Sequence, residues 1–261
     1  TSKTFKHCAK GWRTGVEFPE SAVDLDPYFL GLWLGDGHSY TQTIFSKDVE
    51  VEQFLQGMAK TYGLRFSKLD KPSMSCPALA VVGVKKKANP IRDALRELNV
   101  IQNKHVPHAY KANSRRIRLE VLAGLLDSDG SLTRNGSFDF ISSLKVLAED
   151  VAWLARSVGL RASVQAATKT CQTGASGTYY RVCISGDLDA IPTKIVRKQA
   201  SARRQKKNPL RYGFQVKHLG RGKYHGFTLD GDRLFLLGDF TVTHNTVLFS
   251  MLAEQWDGPV L

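Results

Sequence analysis

Two stretches of this chain are near copies of each other: residues 29–37 read Phe-Leu-Gly-Leu-Trp-Leu-Gly-Asp-Gly and residues 122–130 read Leu-Ala-Gly-Leu-Leu-Asp-Ser-Asp-Gly. Each is an apolar turn or two of helix ending in an acid followed by glycine. The repeat implies two structural units related by an approximate two-fold axis. Each unit then brings one carboxylate, Asp36 or Asp129, to a shared site. Gly31, Gly35, Ala123 and Gly124 lack bulk, so two helices can approach along these faces while Leu32, Leu125 and Leu126 fill the flanks. One Asp-Gly pair alone is an ordinary helix ending; two matched copies ask for a joint explanation. An acid at a helix C-terminus is disfavoured by the dipole and calls for a countercharge, for which a divalent cation is the natural candidate.

The echo extends past the motifs. A strand-like stretch at 40–46 leads into an amphipathic segment at 49–64, and a second at 137–143 leads into one at 144–160. Val51, Phe54, Leu55 and Met58, and likewise Leu147, Val151, Leu154, Ala155 and Val158, fall at helical spacing. Alternating runs at 78–84 and 179–185 predict strands, and the Thr-, Ser- and Gly-rich stretch 168–178 predicts a hairpin loop. The order per half is helix, two strands, helix, two strands, short helix.

The paired motifs resemble the LAGLIDADG signature of homing endonucleases, the second copy departing from it at only two positions. The match covers about 25–207. The resemblance implies an α+β fold in which an αββαββα unit is duplicated about a pseudo-two-fold axis. It implies a monomer that binds double-stranded DNA at a long, nearly non-palindromic site. Asp36 and Asp129 would bind Mg2+ (or Mn2+) at the seam, with Gly35 and Ser128 beside them, and each half would cut one strand. Metal-assisted phosphodiester hydrolysis suits such hard oxygen ligands, and a basic residue near each centre would offset developing negative charge. Lys104 fits the family's Lys-x-Ile/Val-Pro pattern. In the second half Lys198 is the choice and Lys194 stands close behind; surface lysines that contact phosphate are the competing reading.

Composition agrees with a polyanionic partner. The formal charge is +13, and residues 190–229 hold many Lys and Arg but no Asp or Glu. Lys194, Arg203, Arg204, Lys206 and Lys207 lie in that block, and Lys85, Lys86, Arg115 and Arg116 are further candidate phosphate contacts. Counterion release makes such binding salt-dependent. Ser39, Tyr40, Gln42 and Thr43, and Thr133, Arg134, Asn135 and Ser137, are expected to line sheets that enter a major groove, although any half-solvated sheet alternates in this way.

The C-terminal stretch carries a separate signal. Residues 224–230 and 233–245 run through alternating apolar positions to Val-Thr-His-Asn, with Thr246 next. This resembles the C-terminal splicing blocks of inteins, in wording close to fungal splicing-factor and vacuolar-ATPase inteins, and implies a partial all-β intein (Hint) segment. The Asn245 side-chain amide can attack its own carbonyl and break the Asn245–Thr246 bond, with His244 polarising that carbonyl or protonating the amine. Thr246 would supply a hydroxyl nucleophile, and His225 would assist the branched intermediate. Thr4-x-x-His7 fits a splicing motif by letter but reads as linker strand, and no opening Cys precedes it. An N-terminal splicing segment is therefore expected in the precursor. The domains expected are 1–24 as the tail of that segment, 25–207 as nuclease (repeats about 25–115 and 116–207), 208–245 as C-terminal splicing segment and 246–261 as host sequence. A threonine opening a helix, as after the lysine of a phosphate-binding loop, hints at an NTPase host.

Cys8, Cys76, Cys171 and Cys183 have no metal-knuckle or disulfide-framework spacing. With no signal peptide or long apolar span, the expected location is intracellular, nucleus or cytoplasm, and not secreted. Two other readings are a nuclease-inactive nucleic-acid-binding derivative and a mini-splicing element with a decayed nuclease.

Overall fold

The computed structural model describes residues 9–84, 89–170, 176–202, 204–205, 207–214, 220, 222–223 and 229–244. At its centre two helices, α1 (Pro27–Asp36) and α5 (Arg115–Asp129), run parallel. Helix α1 is started by Asp26, whose carboxylate accepts the Phe29 N–H at 2.9 Å, with Pro27 in the first turn. Ser114 plays the capping role for α5 through a 3.4 Å bond from the Ile117 N–H. Both end at glycine: Gly37 N–H bonds Trp33 O at 2.9 Å, and Gly130 N–H bonds Leu126 O. Residues 27–34 of α1 are all buried and 121–127 of α5 likewise. A helix apolar all round belongs in the middle of a core, and that is where the seam sits.

Flanking the seam are two halves of similar plan. The first has β2 (Ile44–Phe45), α2 (Val49–Thr61), β3 (Arg65–Leu69), β4 (Ala78–Val82), α3 (Pro90–Glu97) and α4 (His108–Lys111). The second has β5 (Gly130–Leu132), β6 (Phe138–Ser142), α6 (Lys145–Ser157), β7 (Arg161–Thr170) and β8 (Ser176–Ser185), then short 3-10 turns at Leu188–Ala190 and Val196–Lys198. The matched amphipathic helices α2 and α6 bury Val51, Leu55 and Met58, and Leu147, Val151 and Leu154. Both stop at a left-handed glycine, Gly63 (φ 61°) or Gly159 (φ 81°), after which Leu64 and Leu160 turn their N–H groups back to Ala59 O and Ala155 O. Strand orders are β2-β4-β3 and β5-β6-β8-β7, all antiparallel. The buried face of the second sheet carries Phe138, Phe140, Val182 and Ile184.

The structure departs from the expected repeat in three places. In the first half the strand expected over 40–46 shrinks to two residues, with a lone bridge between Gly37 and Ile44 before it. Local bonds win there: Trp33 Nε1 donates to Thr41 O at 2.7 Å, His38 N–H to Thr43 O at 2.8 Å, and the Thr41 hydroxyl to Thr43 Oγ1 at 3.1 Å. The 168–178 stretch is mostly strand, since β7 runs to Thr170 and β8 starts at Ser176; threonine suits a pleated surface. Finally, the short helix expected to close the second half is a pair of 3-10 turns.

A third sheet joins distant parts of the chain in the order β10-β11-β1-β9: β10 (Leu234–Leu236), β11 (Thr241–His244), β1 (Gly11–Arg13) and β9 (Arg211–Tyr212). Arg13 ties it together, pairing with Asp239 at 2.5 Å and stacking 4.3 Å over the Tyr212 ring. Phe240, held at φ 66°, meets Trp153 of α6 edge-on at 5.0 Å and so seats this sheet on the second half. Below it Arg118 of α5 is fully buried and donates to Asn113 O, Ser157 O and Val16 O at 2.6–2.9 Å. Arg118→Ala would leave a cavity and three carbonyls short of a donor. It is expected to lower stability by about 3 kcal/mol in urea unfolding.

Cys76 and Cys183 are free thiols, while Cys8 and Cys171 lie outside the described residues. Among the described residues no helix is long and apolar enough to cross a membrane.

Candidate active site

The seam is closest where side chains are missing. A Cβ added to Gly31 would stand 2.2 Å from Val121 O, and one on Gly124 would stand 2.2 Å from Tyr28 O. One turn on, a Cβ on Gly35 would meet Ser128 Oγ at 1.9 Å and Asp129 Oδ2 at 3.3 Å. Pairing of 31 with 124 and of 35 with 128 makes the helices parallel and in register. Asp36 and Asp129 therefore end up side by side at one end of the seam.

Each carboxylate has a lysine from elsewhere in the chain nearby. Lys104 Nζ donates to Gly35 O and Gly37 O, both at 2.8 Å, and sits 5.4 Å from the Trp33 ring. Lys198 Nζ donates to Leu126 O, Asp127 O and Ser128 O at 2.7–3.0 Å. Neither central helix has a basic residue in its last turn. The two lysines supply the cation that the negative dipole ends attract.

Burial, and after it the neighbouring Asp129, push the Asp36 carboxyl up to about 6 against the pull of Lys198 and Lys104. Asp129 is exposed at its outer edge, yet the protein crowded around it raises its carboxyl too, with Lys104 and Lys198 opposing. Burial lowers both lysines; the Asp129 and Asp36 charges oppose this at Lys104, and Asp127 opposes it first at Lys198. Because the folded Asp36 carboxyl titrates above its unfolded value, its ionised form is penalised in the fold. That penalty is absent below the unfolded pKa and grows as pH rises towards 6. In the metal-free protein Asp36→Asn is therefore expected to raise stability by roughly 1–2 kcal/mol above about pH 7, the full shift being reduced by partial solvent access. The gain should vanish near pH 3.5, as a melting series with a chelator would show.

Two adjacent carboxylates whose ionisation is disfavoured even with two lysines nearby form a site that a further cation would stabilise. Hard oxygen donors of this kind fit Mg2+ or Mn2+, which commonly take one or two protein carboxylates and complete their shell with water and phosphate. The carbonyls of Gly35 and Ser128 already accept lysine N–H groups, which leaves each with a second lone pair. No group of three or more His, Cys, Asp or Glu able to hold a metal occurs among the described residues.

Beside Asp129 a cavity of about 330 Å³ opens, lined by Ser131, Asp139, Ile141, Ala167, Tyr179 and Arg181 on the outer face of the second sheet. Arg181 and Asp139 pair across neighbouring strands there. The sequence reading missed these residues, although their alternation with buried Phe138, Phe140 and Val182 was the available signal.

The other candidates scatter. Ser39 and Tyr40 are exposed on the turn after α1, while Gln42 bonds Val81 O at 3.1 Å and Thr43 is tied into the same turn. Thr133, Arg134, Asn135 and Ser137 form the β5–β6 turn, where Thr133 and Ser137 bond each other. Arg204 and Lys207 are exposed. One expectation needs correction. Lys194 is not beside the carboxylates: its Nζ lies 4.6 Å over the Tyr28 ring and 5.3 Å from that of Phe54. Arg115 and Arg116 begin α5, about 20 Å from Asp129 at 1.5 Å per residue, and pair with Glu17, and with Glu20 and Glu120. His244 ends β11, where it pairs with Leu234. Lys85, Lys86, Arg203, Lys206, His225, Asn245 and Thr246 lie outside the described residues.

Comparison with known proteins gives four matches. Over 190 residues the chain is 29% identical to a replicative DNA helicase DnaB of Mycobacterium intracellulare, covering 72% of this chain and 28% of that protein. The chain thus spans little more than a quarter of that relative. Among solved structures it is similar to an I-DmoI variant with its target DNA and Mn, at 19% identity, 61% of this chain, 86% of that one and TM-score 0.43. I-DmoI with DNA and Ca is similar at 17% identity, 61% and 82% coverage and TM-score 0.42. Residues 105–212, which hold the second Asp-Gly motif with its sheet and Lys198, match the family model of the homing endonucleases.

Proposed function

We propose that this chain is a LAGLIDADG homing endonuclease carried in an intein, which makes a metal-dependent double-strand break in DNA at its insertion site. The observation that carries the reading is the side-by-side placement of Asp36 and Asp129 at the end of a glycine-spaced helix seam, each with a lysine at hand. The family match over residues 105–212 supports it independently of that geometry. Asp36 and Asp129 hold Mg2+ or Mn2+, with Gly35 and Ser128 at its edge. When bound, the metal supplies charge neutralisation on phosphate and a more acidic water. Lys104 and Lys198 face the phosphates from the helix ends and offset negative charge as it develops. The basic surface and the two sheets then hold one long duplex across both halves, as a monomer. The protein works inside the cell, in nucleus or cytoplasm.

The splicing part of the proposal draws on the third sheet. Strand β1 precedes the nuclease region, and β11, which ends at His244, follows it, yet the two pair directly through Trp12–Val242 and Arg13–Thr241. A nuclease inserted into a β domain has this topology: β1 within 1–24, and β9, β10 and β11 within 208–245, belong to the splicing part, 25–207 is the insert and 246–261 is host sequence. Cleavage at Asn245–Thr246, aided by His244 and His225, completes the scheme.

The test is incubation with Mg2+ and a plasmid carrying the uninterrupted insertion site. A break at one position is expected; binding without any cut would favour the inactive derivative. Mass spectrometry for loss of residues 246–261 tests the splicing half.

A further inference from the structure

The segments that deliver the two lysines have no regular structure to hold them. Lys104 follows α3 in a loop, and Lys198 closes a 3-10 turn of three residues. A long side chain on such a support needs its backbone fixed if its ammonium is to stay at a helix end. In both cases a buried carboxylate does the fixing. Asp150 of α6, 6% exposed, accepts the Val106 N–H at 2.8 Å, two residues from Lys104, and its other oxygen accepts Lys111 Nζ at 2.7 Å. Asp127 of α5, 3% exposed, takes three donors on one oxygen: Lys194 N–H at 2.6 Å, Ile195 N–H at 3.3 Å and Tyr28 Oη at 2.7 Å. From Ile195 the chain passes by the Lys198 N–H bond to Ile195 O, at 2.8 Å, to the lysine itself.

Packing of the seam does not call for an acid at residue 127. In the first repeat the matching position is Leu34, fully buried among apolar neighbours. At 127 the carboxylate is buried at a cost, and its second oxygen has no hydrogen-bond partner. Its hydrogen bonds go to the lysine-bearing segment and to Tyr28 of the other half. The anchors are also separate: the Asp127 carboxylate bonds the 194–195 backbone and Tyr28, and the Asp150 carboxylate bonds the 106 backbone and Lys111.

We infer that Asp127 and Asp150 are positioning residues, each setting one of the two lysines and hence the cutting of one DNA strand. The inference deepens the endonuclease reading and rests on it. A duplex labelled differently on its two strands separates the effects under single-turnover conditions. Asp127→Leu, which copies the first repeat, is expected to slow one strand by ~100-fold, the scale of a small misplacement of a reacting group, while the other stays within ~3-fold. Asp150→Leu should do the same to the opposite strand. Asp127→Asn keeps an acceptor for the two N–H groups and should restore most of the rate. Tyr28→Phe, a milder change less prone to misfolding, should slow the Asp127 strand by ~3–10-fold.

Equal slowing of both strands, or none, would overturn the assignment. Amide hydrogen exchange reads the anchoring without any cutting: in Asp127→Leu protection should fall at 194–195 and stay at 106, and in Asp150→Leu the reverse. If the wild type binds but never cuts while this exchange pattern holds, the endonuclease reading has failed and the anchors stand. Cutting by the wild type with no strand bias in the variants means that the anchors have failed and the reading stands.

Discussion

Asp36→Asn or Asp129→Asn is expected to reduce DNA cutting by at least ~1,000-fold while affinity for the duplex stays within a few-fold of wild type. The substitution keeps shape and removes charge, so the seam survives. It removes an anionic oxygen from a site whose two acids are raised together by burial and, at Asp36, by the neighbouring charge. With one acid neutral, the remaining pair of lysines outweighs it, and the attraction for a divalent cation drops. In the proposed function duplex binding draws on lysines and arginines spread over the surface, so it should persist, and removal of one negative charge should strengthen it slightly. Plasmid cleavage with Mg2+ and band-shift titration with a chelator measure the two properties. Loss of binding in parallel with cutting would mean that the acids serve the fold rather than the chemistry.

The second large effect concerns the seam. Gly31→Leu or Gly124→Leu is expected to unfold the protein at ordinary temperature, and even the alanine variants should lose about 3 kcal/mol. At each position the added carbon falls 2.2 Å from a main-chain carbonyl oxygen, Val121 O or Tyr28 O, and backbone cannot rotate aside as a side chain can. Separating the helices far enough to relieve the contact would open the core on both flanks. Gly35→Ala makes a useful contrast. There the obstruction is the Ser128 hydroxyl, 1.9 Å from the new carbon, so Gly35→Ala should be partly rescued by Ser128→Gly. No such partner exists for Gly31, and combining Gly31→Ala with Gly124→Ala should be non-additive because the two glycines face each other. Denaturant midpoints for these variants check this ordering.

Much of this architecture was legible in the residues because it is written twice. A duplicated apolar run with glycines at helical spacing can only be a close seam, and the paired Asp-Gly endings put the acids at the same end of it. The left-handed glycines after α2 and α6, and the buried stripes on those helices, follow the same periodic rules. Lys104 and Lys198 were also within reach, through the Val-Pro pattern after one and the basic block around the other. What escaped depended on contacts between distant segments. Lys194 and Lys198 are equivalent as letters, and only the bond from the Lys194 backbone to Asp127 turns the first towards Tyr28 and the second towards the helix end. Arg115 and Arg116 read as phosphate contacts, but that they pair with Glu17, Glu20 and Glu120 depends on chain segments whose proximity no local pattern encodes. The first strand was lost to side-chain bonds around Trp33 and Thr41 that no alternation pattern encodes. Asp127 and Asp150 read as ordinary acids on helices, since burial is invisible until the fold is known.

The account stands on one shared cation site formed by two helices, and anomalous diffraction from Mn2+ in crystals of the protein bound to duplex DNA addresses it directly. The expected result is an anomalous peak between the carboxylates of Asp36 and Asp129, lost in the Asp129→Asn protein. Manganese found only at other positions, with the two carboxylates unligated in the bound complex, would contradict it.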